Sequence, residues 1–159
     1  MSNFDGPKGR AFGQFSSSIT QRPETTDPVK IKLTNQEDPF SGEPTIDFLQ
    51  GDIKIKTSGI YLIIAGPQIG KQIGDIPRWV DFWLRVNDDD VPNSNVRAVI
   101  KDTYQKDVIV LQILTKLYKG DTLNIMMSVQ VAGEGIGIEA IQPPREPLIP
   151  SLILTILQM

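Results

Sequence analysis

The sequence predicts an all-β fold in which antiparallel strands build a two-sheet sandwich. Several segments alternate apolar and polar residues with a period of two, as strands that bury one face do. Short groups of Gly, Asn, Asp and Ser separate these segments, and such residues form turns. No long stretch has apolar residues at helical spacing between capping residues. Many short strands joined by tight turns indicate a sandwich or a barrel.

Four segments show the alternation most clearly, and turn residues lie between them. The alternating segments are 29–33, 53–56, 79–86 and 122–131. The turn segments are 57–59, 87–90, 119–121 and 133–135. We therefore expect half-buried strands whose second face meets water.

Two further segments, 60–65 and 152–157, are apolar on both faces. A strand that is apolar on both faces must be covered on both faces. In a two-sheet sandwich only one of these faces meets the opposite sheet. In a domain with little helix, we expect another subunit to cover the second face.

The segment 107–121 carries a different group of residues on each of its faces. One face holds Ile109, Leu111, Ile113 and Leu117, and the other holds Val108, Val110, Gln112 and Leu114. If Leu117 points into the sandwich, the second group points outward and forms a candidate subunit interface. At a rotation axis, copies of the Gln112 amide could hydrogen-bond one another. Burial of this group under the N-terminal segment is the alternative.

Composition narrows the classes of function. The chain has 159 residues, a net charge of -3, no cysteine and no histidine. Disulfides, zinc–cysteine sites, cysteine nucleophiles and Ser-His-Asp catalysis are therefore excluded. The mild acidity argues against binding to nucleic acid or to an anionic membrane surface. A binding module, a structural module and an enzyme that uses only carboxylates remain.

The predicted domain division places a flexible Gly/Ser-rich arm at 1–18 and one folded domain at 19–159. Residues 6–11 read Gly-Pro-Lys-Gly-Arg-Ala and mimic two collagen triplets, but Phe12 stands where the next glycine would be. The start of the chain has no signal-peptide pattern, and the longest apolar stretches fall short of the ~20 residues of a membrane helix. We expect no membrane insertion, and the compartment stays open between an extracellular, a spore-surface and a virion-surface location.

Four segments together resemble a known family. Residues 57–61 (TSGIY) resemble a G-x-Y strand entry, and 82–94 (FWLRVN followed by DVPNS) resemble a W-L-R-x-N-G…V-P-N-S hairpin. Residues 117–123 (LYKGDTL) match an L-x-x-G-D-x-L turn, and 147–159 match a closing strand. In this order they resemble the C1q/tumour-necrosis-factor-like (C1q/TNF-like) jelly-roll family, in particular its microbial and viral members, over about residues 18–159.

The resemblance implies a ten-stranded, two-sheet jelly roll that assembles as a homotrimer, with its closing strand near the three-fold axis. Ile153 and Leu157 of that strand would then join Val108, Val110, Gln112 and Leu114 in the trimer interface. Family members act as recognition heads or as surface modules, and they are not enzymes. One departure is Asp88, which stands where the family's hairpin has glycine. Because aspartate adopts a positive φ less readily, we expect a longer loop there.

The run Asp88, Asp89 and Asp90 is the densest group of carboxylates. Calcium takes six to eight oxygen ligands, and loop carboxylates supply some of them. The spacing differs from that of a dedicated calcium loop, so a solvated hairpin tip is the alternative, and the one we expect.

The aromatic residues Trp79, Trp83 and Tyr61 suggest a second candidate site. Trp79 and Trp83 would share a strand face with Asp81 and Arg85, and rings beside hydrogen-bonding groups are typical of glycan platforms. The alternative is that these aromatics belong to the core or to an interface. Asp81 and Arg85 would then form an ion pair within or between subunits.

No segment suggests catalysis. A glycosidase needs two carboxyl groups ~5 to 9 Å apart in a cleft, and no pair of acidic residues lies in an apolar segment. The leading hypothesis is a homotrimeric binding head without a cofactor that recognises a protein or a glycan. The alternative is a structural trimerisation module of a spore coat, a virion or a cell surface.

Overall fold

The computed structural model describes residues 9–37 and 45–159, and within them all regular structure is β-strand. Every strand pair is antiparallel. The strands are β1 (Phe12–Ser17), β2 (Val29–Lys30), β3 (Asn35–Gln36), β4 (Ile46–Leu49), β5 (Asp52–Ile55), β6 (Gly59–Gly70), β7 (Arg78–Val86), β8 (Asp89–Asp90), β9 (Val96–Ile100), β10 (Asp107–Val108), β11 (Leu111–Leu117), β12 (Thr122–Val129), β13 (Gly137–Ile138) and β14 (Leu152–Gln158). The predicted all-β sandwich is confirmed.

The strands of the described residues form two sheets of seven strands each. In the first sheet, β6 pairs with β14 on one side and with β11 on the other, and β1 extends the sheet beyond β14. In the second sheet, β12 pairs with β7, which in turn pairs with β9. The described residues form fourteen strands, more than the ten expected, and five of these strands have only two residues.

The core lies between the two sheets and is apolar. Alternate residues of β6 and β12 point into it, among them Ile63 and Ile125. Leu117 is fully buried and points into the sandwich, so the condition for the outward position of Val110 and Leu114 is met. Tyr61 is also fully buried, and its hydroxyl donates a hydrogen bond to the Thr57 carbonyl at 2.6 Å. Burial raises the pKa of this phenol.

The predicted N-terminal arm is wrong for residues 12–17. This segment is strand β1, which pairs with β14 from Phe12 opposite Leu157 to Ser17 opposite Leu152. Phe15 is fully buried, and its ring centroid lies 5.4 Å from that of Phe48. The small residues Gly13, Ser16 and Ser17 beside the phenylalanines gave this segment the composition of a flexible tail. Residues 1–8, which include the first half of the collagen-like tract, lie outside the described residues.

The hairpin between β7 and β8 is tight, so the predicted longer loop is wrong. Val86 pairs with Asp89, which leaves Asn87 and Asp88 as a two-residue loop. Asn87 has a φ of 56°, whereas the φ of Asp88 is not positive. Asparagine visits this left-handed region more readily than most residues. This turn therefore does not require the glycine that the family has at position 88.

Candidate functional site: the outer face of the first sheet

The first sheet turns a largely apolar surface away from the core. Five large side chains of this surface are exposed by two-fifths or more: Ile60 46%, Val108 60%, Val110 59%, Leu114 63% and Ile153 43%. They come from β6, from β10 to β11 and from β14, which lie side by side. We call the outward side chains of β1, β6, β14 and the segment 108–114 the apolar face.

Strand register arranges the apolar face in rows that cross the sheet. The leucine row consists of Leu114, Leu62, Leu157 and Phe12, which are successive cross-strand neighbours. Cross-strand neighbours on one face have Cβ atoms ~5 Å apart, so their side chains touch. The leucine row is therefore a continuous apolar band across four strands.

A second apolar row lies four residues further along β6. Ile153 is opposite Gly66 in β14, and Val110, which precedes Leu111, lies beside Gly66 on the other side. Val108 covers the glycine, because a Cβ atom at Gly66 would meet the Val108 Cγ1 at 3.5 Å. We call this the glycine row, and it ends at Ser16 of β1.

Charged groups lie at the two ends of the apolar face. Lys116 is opposite Ile60 at one end. At the other end, the buried Glu139 carboxylate contacts the Lys106 ammonium at 2.6 Å and the Arg22 guanidinium at 3.2 Å. The rows between contain no charged side chain, so this part of the face can be buried without desolvating an ion.

The structure brings all six residues of the predicted trimer interface onto this face: Val108, Val110, Gln112, Leu114, Ile153 and Leu157. Their contact with other subunits stays a prediction. Sequence reasoning left out Phe12 because it assigned that residue to the arm. It also left Leu62 and Ile64 out of the interface, although the two-sided apolar pattern of 60–65 pointed to them.

The predicted aromatic platform lies on the outer face of the second sheet, and its two tryptophans are engaged within the protomer. The Arg97 guanidinium lies 4.1 Å from the centre of the Trp79 ring. Arg97 also donates two hydrogen bonds to the Asp81 carboxylate, at 2.8 and 2.9 Å. These bonds raise the pKa of the guanidinium above its ordinary value. One face of Trp79 is thus covered.

Trp83 and Arg85 both donate to Asp90. The Trp83 indole N–H lies 2.7 Å and the Arg85 Nε 2.8 Å from the same Asp90 oxygen. The hydrogen bond from Arg85 is the main reason why the pKa of Asp90 lies below its ordinary value. The predicted Asp81–Arg85 ion pair is therefore not formed within the protomer, since each residue has another partner.

Tyr61 does not belong to this platform, because it lies in the core on the opposite sheet. The three aspartates of the hairpin do not converge either: Asp90 faces Arg85 and Trp83, and Asp88 and Asp89 are exposed. In the described parts of the chain, no group of three or more acidic side chains could hold a metal ion. Nor does 9–37 or 45–159 contain a helix long and apolar enough to cross a bilayer.

Comparison with solved structures identifies the architecture. Crystal structures of murine APRIL at pH 8.5, 8.0 and 5.0 each superpose with a TM-score of 0.55 and cover 94% of this chain and 99% of the APRIL chain. The chain has a TNF-like jelly-roll fold. The sequence identities are 7%, 8% and 8%, so the likeness extends to the fold alone. No family model and no curated protein matches the sequence.

Proposed function

We propose that this protein is a homotrimeric jelly-roll head that presents three identical surfaces to a protein or glycan ligand. The apolar face carries the proposal, because it is exposed in the protomer and has no charge between its ends. Three-fold packing of such faces would bury the surface that a single chain leaves open. The TNF-like fold and the family resemblance of the sequence support the same assembly.

The exposed apolar side chains would supply the free energy of assembly. Burying one leucine or isoleucine side chain contributes about 1.5–3 kcal/mol relative to leaving it in water. Leu114, Val110 and Ile153 are each exposed by two-fifths or more in the protomer. Each subunit of a trimer would contribute these contacts. Their summed free energy has to exceed the free-energy cost of the entropy lost on association.

Recognition by a trimer follows from multivalency. Three identical sites on one rigid particle convert weak single contacts into stable attachment, because the second and third contacts are intramolecular. We infer binding rather than catalysis. The two buried carboxylates of the described residues, Asp81 and Glu139, are both held by cations. A general acid needs instead a carboxyl group whose proton is retained near neutral pH.

A purely structural trimer on a spore coat, a virion or a cell surface is the second candidate. The cover over Trp79 favours it, because a stacked guanidinium occupies a ring face that a sugar would use. In this case the module would contribute assembly and stability, and no ligand would bind the second sheet.

Two measurements test the proposal. Sedimentation equilibrium at micromolar concentration should give three times the 17.7 kDa protomer mass. A protein that sediments as a monomer contradicts the trimer. Glycan and protein arrays should then be probed with the trimer and with a dissociated variant such as Leu114→Lys. Signals that weaken strongly on dissociation support a multivalent binding head, whereas an absence of signals supports the structural module.

A further inference from the structure

A polar row interrupts the apolar face between the leucine row and the glycine row. Gln112 and Thr155 both lie opposite Ile64, one on each side of β6, and Gln14 lies opposite Thr155. We call Gln112, Ile64, Thr155 and Gln14 the glutamine row. It is flanked on both sides by rows whose larger members are Leu, Val, Ile and Phe.

The polar side chains of this row have no partner within the described protomer. No side-chain hydrogen bond involves Gln14, Gln112 or Thr155, while other glutamines of the described chain, such as Gln21 and Gln105, bond the backbone. Gln14 and Gln112 are exposed, and Thr155 is half-buried. Two amides and one hydroxyl therefore point from the sheet with their donors and acceptors available.

We propose that the glutamine row fixes the register and the number of subunits in the assembly. The inference rests on the proposed trimer. A rotation axis that runs along the strands leaves every row at its own height. The leucine row of one subunit then meets the leucine row of the next, and the glutamine row meets the glutamine row.

Three-fold contacts are heterologous, so one edge of the face meets the other edge of the neighbouring copy. Gln112 lies on β11 at one edge, and Gln14 lies on β1 at the other. Gln112 of one subunit thus meets Gln14 and Thr155 of the next at the same height. An amide can donate and accept at once, so this contact satisfies the polar groups when the rows are aligned.

Misaligned assemblies lose this match. A slip by two residues along the strands, about 7 Å, places the amides against the leucine row or the glycine row. Buried amides without partners disfavour that arrangement. Leucines alone would tolerate the slip, since apolar contact has no direction. A single polar layer is known to select register and stoichiometry in this way at some cost in stability.

Gln112→Leu tests the inference, with Gln72→Leu as the matched control because Gln72 is an exposed glutamine in the 71–77 connection. Native mass spectrometry and sedimentation velocity should show one trimeric species for the wild type and for the control. Gln112→Leu should show at least two masses and should resist dilution better than the wild type. A Gln112→Leu protein that forms a uniform trimer, or only monomers, overturns the inference and leaves the proposed trimer standing.

Gln112→Glu provides a second test that keeps the size of the side chain. Three carboxylates in the polar layer should dissociate the trimer at pH 7, and protonation below the ordinary carboxyl pKa of about 4.3 should restore it. An unchanged trimer at pH 7 places Gln112 outside the interface and overturns the inference. A wild-type protein that is monomeric overturns the proposed trimer itself, so the two failures are distinguishable.

Discussion

Leu114 of β11 lies directly opposite Leu62 of β6, and both side chains point away from the core. Leu114 is 63% exposed in the protomer, so most of its apolar surface meets water there. The value of the pair depends on whether another molecule covers it.

Leu114→Lys should dissociate the trimer, because each subunit would bring an ammonium group into an apolar contact. Leu49→Lys is the matched control, since Leu49 is exposed by 73% at the end of β4 in the other sheet. Light scattering should show a monomer for the first variant and the wild-type mass for the second. Val110→Lys should behave like Leu114→Lys. If both face variants keep the wild-type mass, the apolar face is not the contact.

Arg97→Ala should destabilise the protein, because it leaves the buried Asp81 carboxylate without its partner. The same change uncovers Trp79, so the tryptophan emission should shift. The double variant Asp81→Asn with Arg97→Ala should recover part of the stability, as expected when both charges are removed together. Urea unfolding measures all three free energies, and equal stability of Arg97→Ala and wild type would contradict the assigned ion pair.

Glu139→Gln should lower the melting temperature, since Lys106 and Arg22 lose the carboxylate that both contact. A loss of about 1–3 kcal/mol corresponds to roughly 2–12 °C for a chain of this size. The control is Glu24→Gln, which changes an exposed carboxylate. If Glu139→Gln has the same melting temperature as the control, the contacts of Glu139 with Lys106 and Arg22 contribute nothing to stability.

The lowered pKa of Asp90 makes its contribution to stability pH-dependent. A carboxyl group whose folded pKa lies below its unfolded value stabilises the protein above the unfolded pKa, and this stabilisation is lost as pH falls through the folded pKa. Glu134, which accepts a hydrogen bond from Arg78, has a pKa shifted in the same direction. Asp90→Asn should therefore be less stable than wild type at pH 7, and the difference should shrink as pH falls below the ordinary carboxyl range. A constant difference across this range would contradict the assignment.

Calcium should leave the melting temperature of the wild type unchanged, because Asp88, Asp89 and Asp90 do not converge on one point. The measurement is differential scanning fluorimetry with millimolar calcium and with a chelator. The comparison protein carries Asn at all three positions. A calcium-dependent rise in the wild type that the triple variant lacks would demonstrate a bound ion.

The sequence predicted the features that depend on the period of a single strand. Alternation alone indicated that Leu117 lies on the opposite face from Val110 and Leu114, because successive side chains in a strand take opposite faces. It could not predict the partner of Asp81. That partner is Arg97, which lies on a neighbouring strand, and only the register between β7 and β9 brings the two together.

Composition misled where small residues form a strand. Between Phe12 and Ser17 the apolar side chains are few. Ser17 is nevertheless buried, and its hydroxyl oxygen accepts a hydrogen bond from the Ser151 hydroxyl at 2.8 Å. A tertiary contact 134 residues away in sequence cannot be inferred from local composition. The same limit applies to the glutamine row, whose members come from four separate strands.

The backbone N–H of Gln158 donates to the Ala11 carbonyl at 2.8 Å, which brings the entry to β1 beside the exit from β14. The connections 71–77 and 101–106 follow the last residues of β6 and β9, at the other end of the sandwich. Tyr104 in the second connection is 90% exposed. Immobilising the protein on a sensor chip through either the entry or the exit therefore directs these connections toward the solution. Coupling through either point gives the same orientation on the chip. Analytes can therefore reach the connections 71–77 and 101–106 without steric interference from the support.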